Sequence, residues 1–144
     1  MRVLQFAFDG KSDNLHLPDN YMPNTVVYTG THDNSTTRGW FEELPDQQRQ
    51  YLWNYLKRPS GESREALAWS SAAALAMAPL QDLLNLGNDA RMNLPGRAEG
   101  NWGWRCTEDM LTLAAFQRLH GLTKTSTRAS LEFDTLPERQ GARP

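Results

Sequence analysis

The spacing of the strand-like segments limits this fold most. "RVLQFAF" at the start and "TVVYTG" at residues 25–30 are short and rich in β-branched and aromatic residues. The first is nearly continuous in its apolar character, as in a buried strand. Between them lies "DGKSDNLHLPDNYMPN", whose Gly, Pro, Asn and Asp content predicts a long loop. A third segment, "ALAMAPL", reads in two ways. It either ends the Ala-rich helical stretch "ESREALAWSSAAALAMA" or forms a short buried strand, since Pro79 is poorly tolerated inside a helix. Strands alternating with helical patterns favour a parallel α/β arrangement. Two or three strands cannot close a barrel or build a doubly covered sheet. The first strand also starts at Arg2, and a chain that opens inside an element reads as a piece of a longer one.

The helical patterns fill the intervals. Pro45 and Asp46 open one helix, with Tyr51, Leu52, Tyr55 and Leu56 on one face and Pro59 and Gly61 as its stop. Leu67 and Trp69 are apolar positions for burial in the Ala-rich segment. "LQDLLNLG" predicts a short amphipathic turn of helix capped by Gly87. "NDARMNLPGRAEGNWGWR" predicts a second long loop. Thr107, followed by Glu108 and Asp109, resembles an N-cap with acidic residues in the first turn. Leu111, Ala115 and Leu119 continue that helix to Gly121. The polar stretch from Thr123 reads as a tail, which divides the chain into residues 1–122 and a disordered 123–144.

The 144 residues suffice for one domain with a core. A net charge of −2, with no basic stripe between aromatics, argues against nucleic acid or a membrane surface as the main partner. No apolar run approaches the roughly 20 residues of a membrane span, and no signal peptide opens the chain. The single cysteine, Cys106, has no internal disulfide partner and no metal-site neighbours, which fits a reducing, cytoplasmic setting.

"VVYTGTHDNSTTRGW" carries the chemistry. In parallel α/β folds the residues just past the carboxyl ends of strands face the ligand. His32, Asp33 and Asn34 follow the strand that Gly30 ends. A carboxylate there can accept hydrogen bonds from neighbouring hydroxyls, and the flanking imidazole and amide can donate others. That equipment suits a sugar ring, with vicinal hydroxyls and no charge. The structural alternative is an Asx turn in which Asp33 and Asn34 merely cap the loop. A metal site needs more ligands than the remaining His16 and His120 offer. Trp102 and Trp104, near Asn101, Arg97 and Arg105, suit ring stacking with hydrogen bonding. Anchoring the loop on the core is the other use for two tryptophans.

"VLQFAF", "NYMPNTVVYTGTHDNSTTRGW", "PLQDLLNLG" and "RMNLPGRAEGNWGWR" occur in this order over residues 1–120. Together they resemble the C-terminal third of the 4-α-glucanotransferases, the amylomaltase or disproportionating-enzyme family. The resemblance implies an α/β fold, the C-terminal part of a (β/α)8 TIM barrel. "VLQFAF", "TVVYTG" and "ALAMAPL" would be its last three strands, which favours the strand reading before Pro79. It implies retaining transfer of a segment of an α-1,4-glucan to the 4-hydroxyl of another glucan or glucose, with maltooligosaccharides as substrates and with no cofactor or metal. Asp33 would be the transition-state stabiliser, bonding the 2- and 3-hydroxyls of the reacting glucose. His32, Asn34 and Asn101 would contact substrate. The nucleophile and the acid/base lie upstream in this family, so a missing N-terminal part would be the partner of this chain, which alone should be inactive. Ser35 replaces an acidic or amide residue usual in the family, which bears on how that loop packs. A non-catalytic glucan-binding fragment and an inactive truncated product are the competing expectations.

Overall fold

A computed structural model of the chain describes residues 1–56 and 64–128. Three short parallel strands form its centre: β1 (Arg2–Val3), β2 (Val26–Tyr28) and β3 (Leu75–Met77), in that spatial order. Val3 pairs with Tyr28, and Tyr28 with Met77. The ambiguous segment before Pro79 is therefore a strand. "RVLQFAF" is a strand only at its first two residues. Leu4–Phe6 turn into a 3₁₀ helix. This buries the polar Gln5, whose Nε2 donates to the Ser35 carbonyl at 2.8 Å. A Cβ on Gly30 would meet that Nε2 at 2.6 Å, so a larger residue just after β2 would displace the Gln5 amide from its bond to Ser35.

Among the described residues, five α-helices accompany the sheet: α1 (Thr37–Glu43), α2 (Asp46–Leu56), α3 (Arg64–Trp69), α4 (Leu80–Leu83) and α5 (Leu113–Thr125). α2 begins at Asp46 as its sequence predicts and buries Leu52, Tyr55 and Leu56; its stop at Pro59 and Gly61 lies outside the described residues. α1 has no counterpart in the sequence reading, which leaves residues 31–40 as loop. Thr36 caps it, its side chain accepting from the Gly39 amide. α3 is shorter than the Ala-rich pattern predicts. The hydroxyls of Ser70 and Ser71 bond the carbonyls of Ala66 and Ala68, both at 2.8 Å, and so compete with continuation of the helix.

Two helix boundaries are corrected. α4 closes through Asn85 in the left-handed region (φ 55°), with Leu86 N donating to the Gln81 carbonyl at 2.9 Å; Gly87, the predicted cap, is extended. Thr107 precedes only a 3₁₀ turn at Glu108–Met110, and α5 starts after Thr112, whose side chain caps Ala115 N. α5 also runs past Gly121 to Thr125. Beyond it, Arg128 donates to the carbonyls of Trp69 and Ser71, which joins this end of the chain to the end of α3. The tail boundary at residue 123 is thus too early, and 129–144 lie outside the described residues.

The core has two parts. Leu4, Ala7, Phe8 and Leu17 pack with Leu44, Leu52, Tyr55, Leu56 and Leu67. Val27, on one sheet face, packs with Tyr21, Ala68, Trp69 and Ala73, with Leu119 and Leu122 of α5 against them. The other face, carrying Val26, Tyr28, Leu75 and Met77, is only partly covered, and Leu75 and Met77 are 50% and 41% exposed. Apolar strand surface of this kind drives association. The chain on its own is therefore expected to self-associate. Leu75→Lys should shift it toward monomer in sedimentation velocity; an unchanged profile would count against this face as the cause.

Candidate active site

The carboxyl ends of β2 and β3 open into a cavity of about 640 Å³, a size ordinary for a small-ligand site. Residues 30–36 form one wall and Met77, Pro79, Gln81 and Asp82 another, with Arg91 and Met92 beside them. His32, Asp33 and Asn34 all line it, and Asn101 does not.

The loop's shape follows from its own side chains. Asn34 Oδ1 accepts from both Thr31 N (2.9 Å) and Thr31 Oγ1 (2.7 Å), while Asn34 N donates to the Thr31 carbonyl. This closure runs back to a residue three before Asn34 and so differs from an Asx turn, which bonds the amide two residues on; the Asn34 side-chain oxygen is engaged in the loop all the same. Asp33 is left outside that turn. Its side chain is half exposed, and Oδ1 accepts from Asn93 Nδ2 at 2.6 Å, with His32 Nε2 at 3.3 Å. Oδ2 has no hydrogen-bond partner among the described residues. The carboxylate is thus held by one oxygen and open at the other.

Support comes from far along the chain. Arg91 donates to the Asp33 carbonyl, to Ser35 Oγ (3.1 Å) and to the Asn93 carbonyl (2.7 Å). Asn93 N donates to the His32 carbonyl at 3.1 Å. Arg91 and Asn93 went unnoticed in the sequence because their partners are distant; "RMN" beside a Gly-rich loop was the available signal. Ser35 fits this scheme, its hydroxyl serving as acceptor for the Arg91 fork. Asn101 acts within its own loop, with Oδ1 accepting from Leu94 N and Nδ2 donating to the Arg97 carbonyl, both at 2.9 Å.

Asp82 was also missed. It is 2% exposed, yet ionisable and without a cationic partner among the described residues. Oδ1 accepts from Thr37 N (2.7 Å), and Oδ2 from the hydroxyls of Thr37 (2.7 Å) and Thr29. Thr29 directly follows β2 and Thr37 begins α1. One carboxylate on α4 therefore ties both stems of the loop that carries Asp33. Burial of these carboxyl oxygens is tolerated because three donors replace their water. In the sequence, "LQDLL" shows only a polar position in a short helix.

A parallel sheet with an aspartate aimed from a strand end into a cavity is common to many enzymes; comparison with known proteins narrows it. The family model described as 4-alpha-glucanotransferase, glycoside hydrolase 77, matches residues 1–112. The chain belongs to this family. It is 56% identical over 116 residues to the 4-alpha-glucanotransferase of Synechocystis sp., covering 77% of this chain and 23% of that protein. The chloroplastic/amyloplastic 4-alpha-glucanotransferase of Solanum tuberosum is 50% identical, covering 73% of this chain and 19% of the relative. The chain thus spans less than a quarter of the length of these two relatives. Among solved structures, the amylomaltase from Streptococcus agalactiae in complex with acarbose superposes with a TM-score of 0.83 at 33% identity. That match covers 90% of this chain and 27% of the other. The α/β character, with helices around a small parallel sheet, is shared with this glucanotransferase structure.

Proposed function

We propose that this chain is the part of a retaining 4-α-glucanotransferase that supplies its transition-state-stabilising carboxylate. β1, β2 and β3 are then consecutive strands of a (β/α)8 barrel, and the partly bare sheet face looks into its interior. The observation that carries the reading is Asp33, which follows β2 and lines the cavity, with one carboxylate oxygen held by Asn93 and the other without a hydrogen-bond partner among the described residues. The open oxygen accepts a hydroxyl of the reacting glucose, and His32 stands beside it for a second contact. Such hydrogen bonds strengthen as the ring flattens toward an oxocarbenium-like transition state, so they favour the chemical step over ground-state binding. Asn34 keeps the loop in shape, and Asn101 contributes to the acceptor side through its loop.

Double displacement needs two further carboxyl groups about 5 Å apart. Asp82 serves as neither, because both its oxygens are engaged by buried donors. The nucleophile and acid/base belong to the rest of the enzyme. The donor and acceptor are α-1,4-glucans, maltooligosaccharides and glucose. The test is calorimetric titration of the chain with acarbose and with maltotriose, together with an assay of glucose release. Weak binding that Asp33→Ala abolishes, with no glucose released, is the expected outcome. Binding indifferent to Asp33, or turnover at the rate of an intact glucanotransferase, would overturn the reading.

A further inference from the structure

Trp102 has a backbone and an exposure that are both unusual for its size. Its φ is +60°, in the left-handed region that bulky side chains rarely adopt. Such a conformation is strained and persists where surrounding bonds enforce it. Here they do. Trp102 N donates to the Met92 carbonyl at 2.6 Å, and Arg105 Nη1 donates to the Trp102 carbonyl at 2.7 Å. Asn101, the residue before, clasps the loop from inside. The effect is to keep a large ring out of the core, since Trp102 is 51% exposed. The ring lies 5.2 Å from the imidazole of His32, tilted by 37°, and His32 in turn stands 3.3 Å from Asp33. Indole, imidazole and carboxylate thus form a continuous row, of which the imidazole and the carboxylate belong to residues that line the cavity.

We infer that Trp102 is a stacking platform for a pyranose ring, a saccharide subsite one step beyond the sugar held at Asp33. The inference rests on the glucan reading of that site and extends it. A neutral sugar presents an apolar C–H face and a polar rim. An exposed indole beside an imidazole and backbone carbonyls matches both, and the nearby Arg105 guanidinium is engaged by the Trp102 and Trp104 carbonyls. The preset backbone means that the ring need not be ordered on binding, which preserves affinity. A linear oligosaccharide reaches Asp33 and Trp102 together, whereas glucose reaches one of them.

The test titrates the full chain with maltoheptaose and with glucose, by calorimetry and by tryptophan fluorescence, for the parent and for Trp102→Phe, Trp102→Leu and Asp33→Ala. The expected result is an oligosaccharide affinity about tenfold lower in Trp102→Leu, which keeps apolar bulk but no flat ring. Trp102→Phe should retain most of the affinity while losing the fluorescence response. A tenfold loss corresponds to about 1.4 kcal/mol, within the range of an aromatic contact. If maltoheptaose binds in an Asp33-dependent manner but equally well to the parent and Trp102→Leu, the platform is refuted and the Asp33 reading survives. If neither saccharide binds the parent, both are overturned. Equal losses in the Phe and Leu variants would assign Trp102 a purely structural role and would also refute the platform.

Discussion

In an intact glucanotransferase carrying this segment, Asp33→Ala is expected to lower kcat for maltotriose disproportionation about a thousandfold, with KM moving less than tenfold. The asymmetry follows from where the interaction acts. In the proposed role the open Asp33 oxygen would meet a sugar hydroxyl whose acidity grows as positive charge develops on the ring, so the bond would be worth most in the transition state. Hydrogen bonds of this kind supply several kcal/mol, and about 1.4 kcal/mol is tenfold in rate. Asp33→Asn should fall between parent and alanine, since an amide oxygen still accepts but carries no charge. Steady-state kinetics on the three proteins measures this directly. Should KM rise a thousandfold with kcat intact, Asp33 would be a ground-state binding residue and the stabiliser role would be wrong.

The second large effect concerns Asp82, which touches no substrate in this scheme. Asp82→Ala leaves two hydroxyls and the Thr37 amide facing a buried void. Each abandoned donor costs on the order of 1–3 kcal/mol, although the hydroxyls recover part by rotating toward other acceptors. A net loss of about 3 kcal/mol is expected, which for a chain of this size lowers Tm by about 10 °C. Asp82→Asn should lose about 1 kcal/mol, because its carbonyl still accepts from Thr37 N and its amide can donate to hydroxyls turned around. The two melts, compared with the parent, decide the matter. Equal shifts for Ala and Asn would mean that the carboxylate's charge, rather than its filled bonding sites, holds the loop stems.

Much of this arrangement was legible in the sequence, and the parts that were not have separate physical causes. β2 and α2 follow from local pattern: a β-branched run closed by Gly30, and apolar residues spaced at Tyr51, Leu52, Tyr55 and Leu56. The polar cluster at a strand end was visible too. Its roles were less so, because Asn34 and Asp33 are adjacent and chemically alike, yet the side-chain oxygen of one closes onto its own loop and a carboxylate oxygen of the other bonds the distant Asn93. Family resemblance, and not pattern, separated strand from helix before Pro79. α1 escaped because Thr36, Thr37 and Gly39 look like loop residues; they are there for a cap, a bond to Asp82 and close contact with Asn88. Arg91, Asn93 and Asp82 are legible only in three dimensions, since each acts on a partner more than forty residues away. The start of α5 was misplaced for a subtler reason: Thr107 and Thr112 are both credible caps, and only one has its side chain on the helix amide.

The parallel pairing of β1, β2 and β3 has a kinetic side. No two of these strands are joined by a tight turn, so each pairing must close a long stretch of chain before any ladder bond repays it. Asp82 and Arg91 behave likewise, cross-linking segments that meet only after collapse. The site is accordingly assembled late. While Leu75 and Met77 wait for cover, the nascent chain competes with its own aggregation, and chaperone supply during synthesis would govern the yield of active sites as strongly as their final stability does.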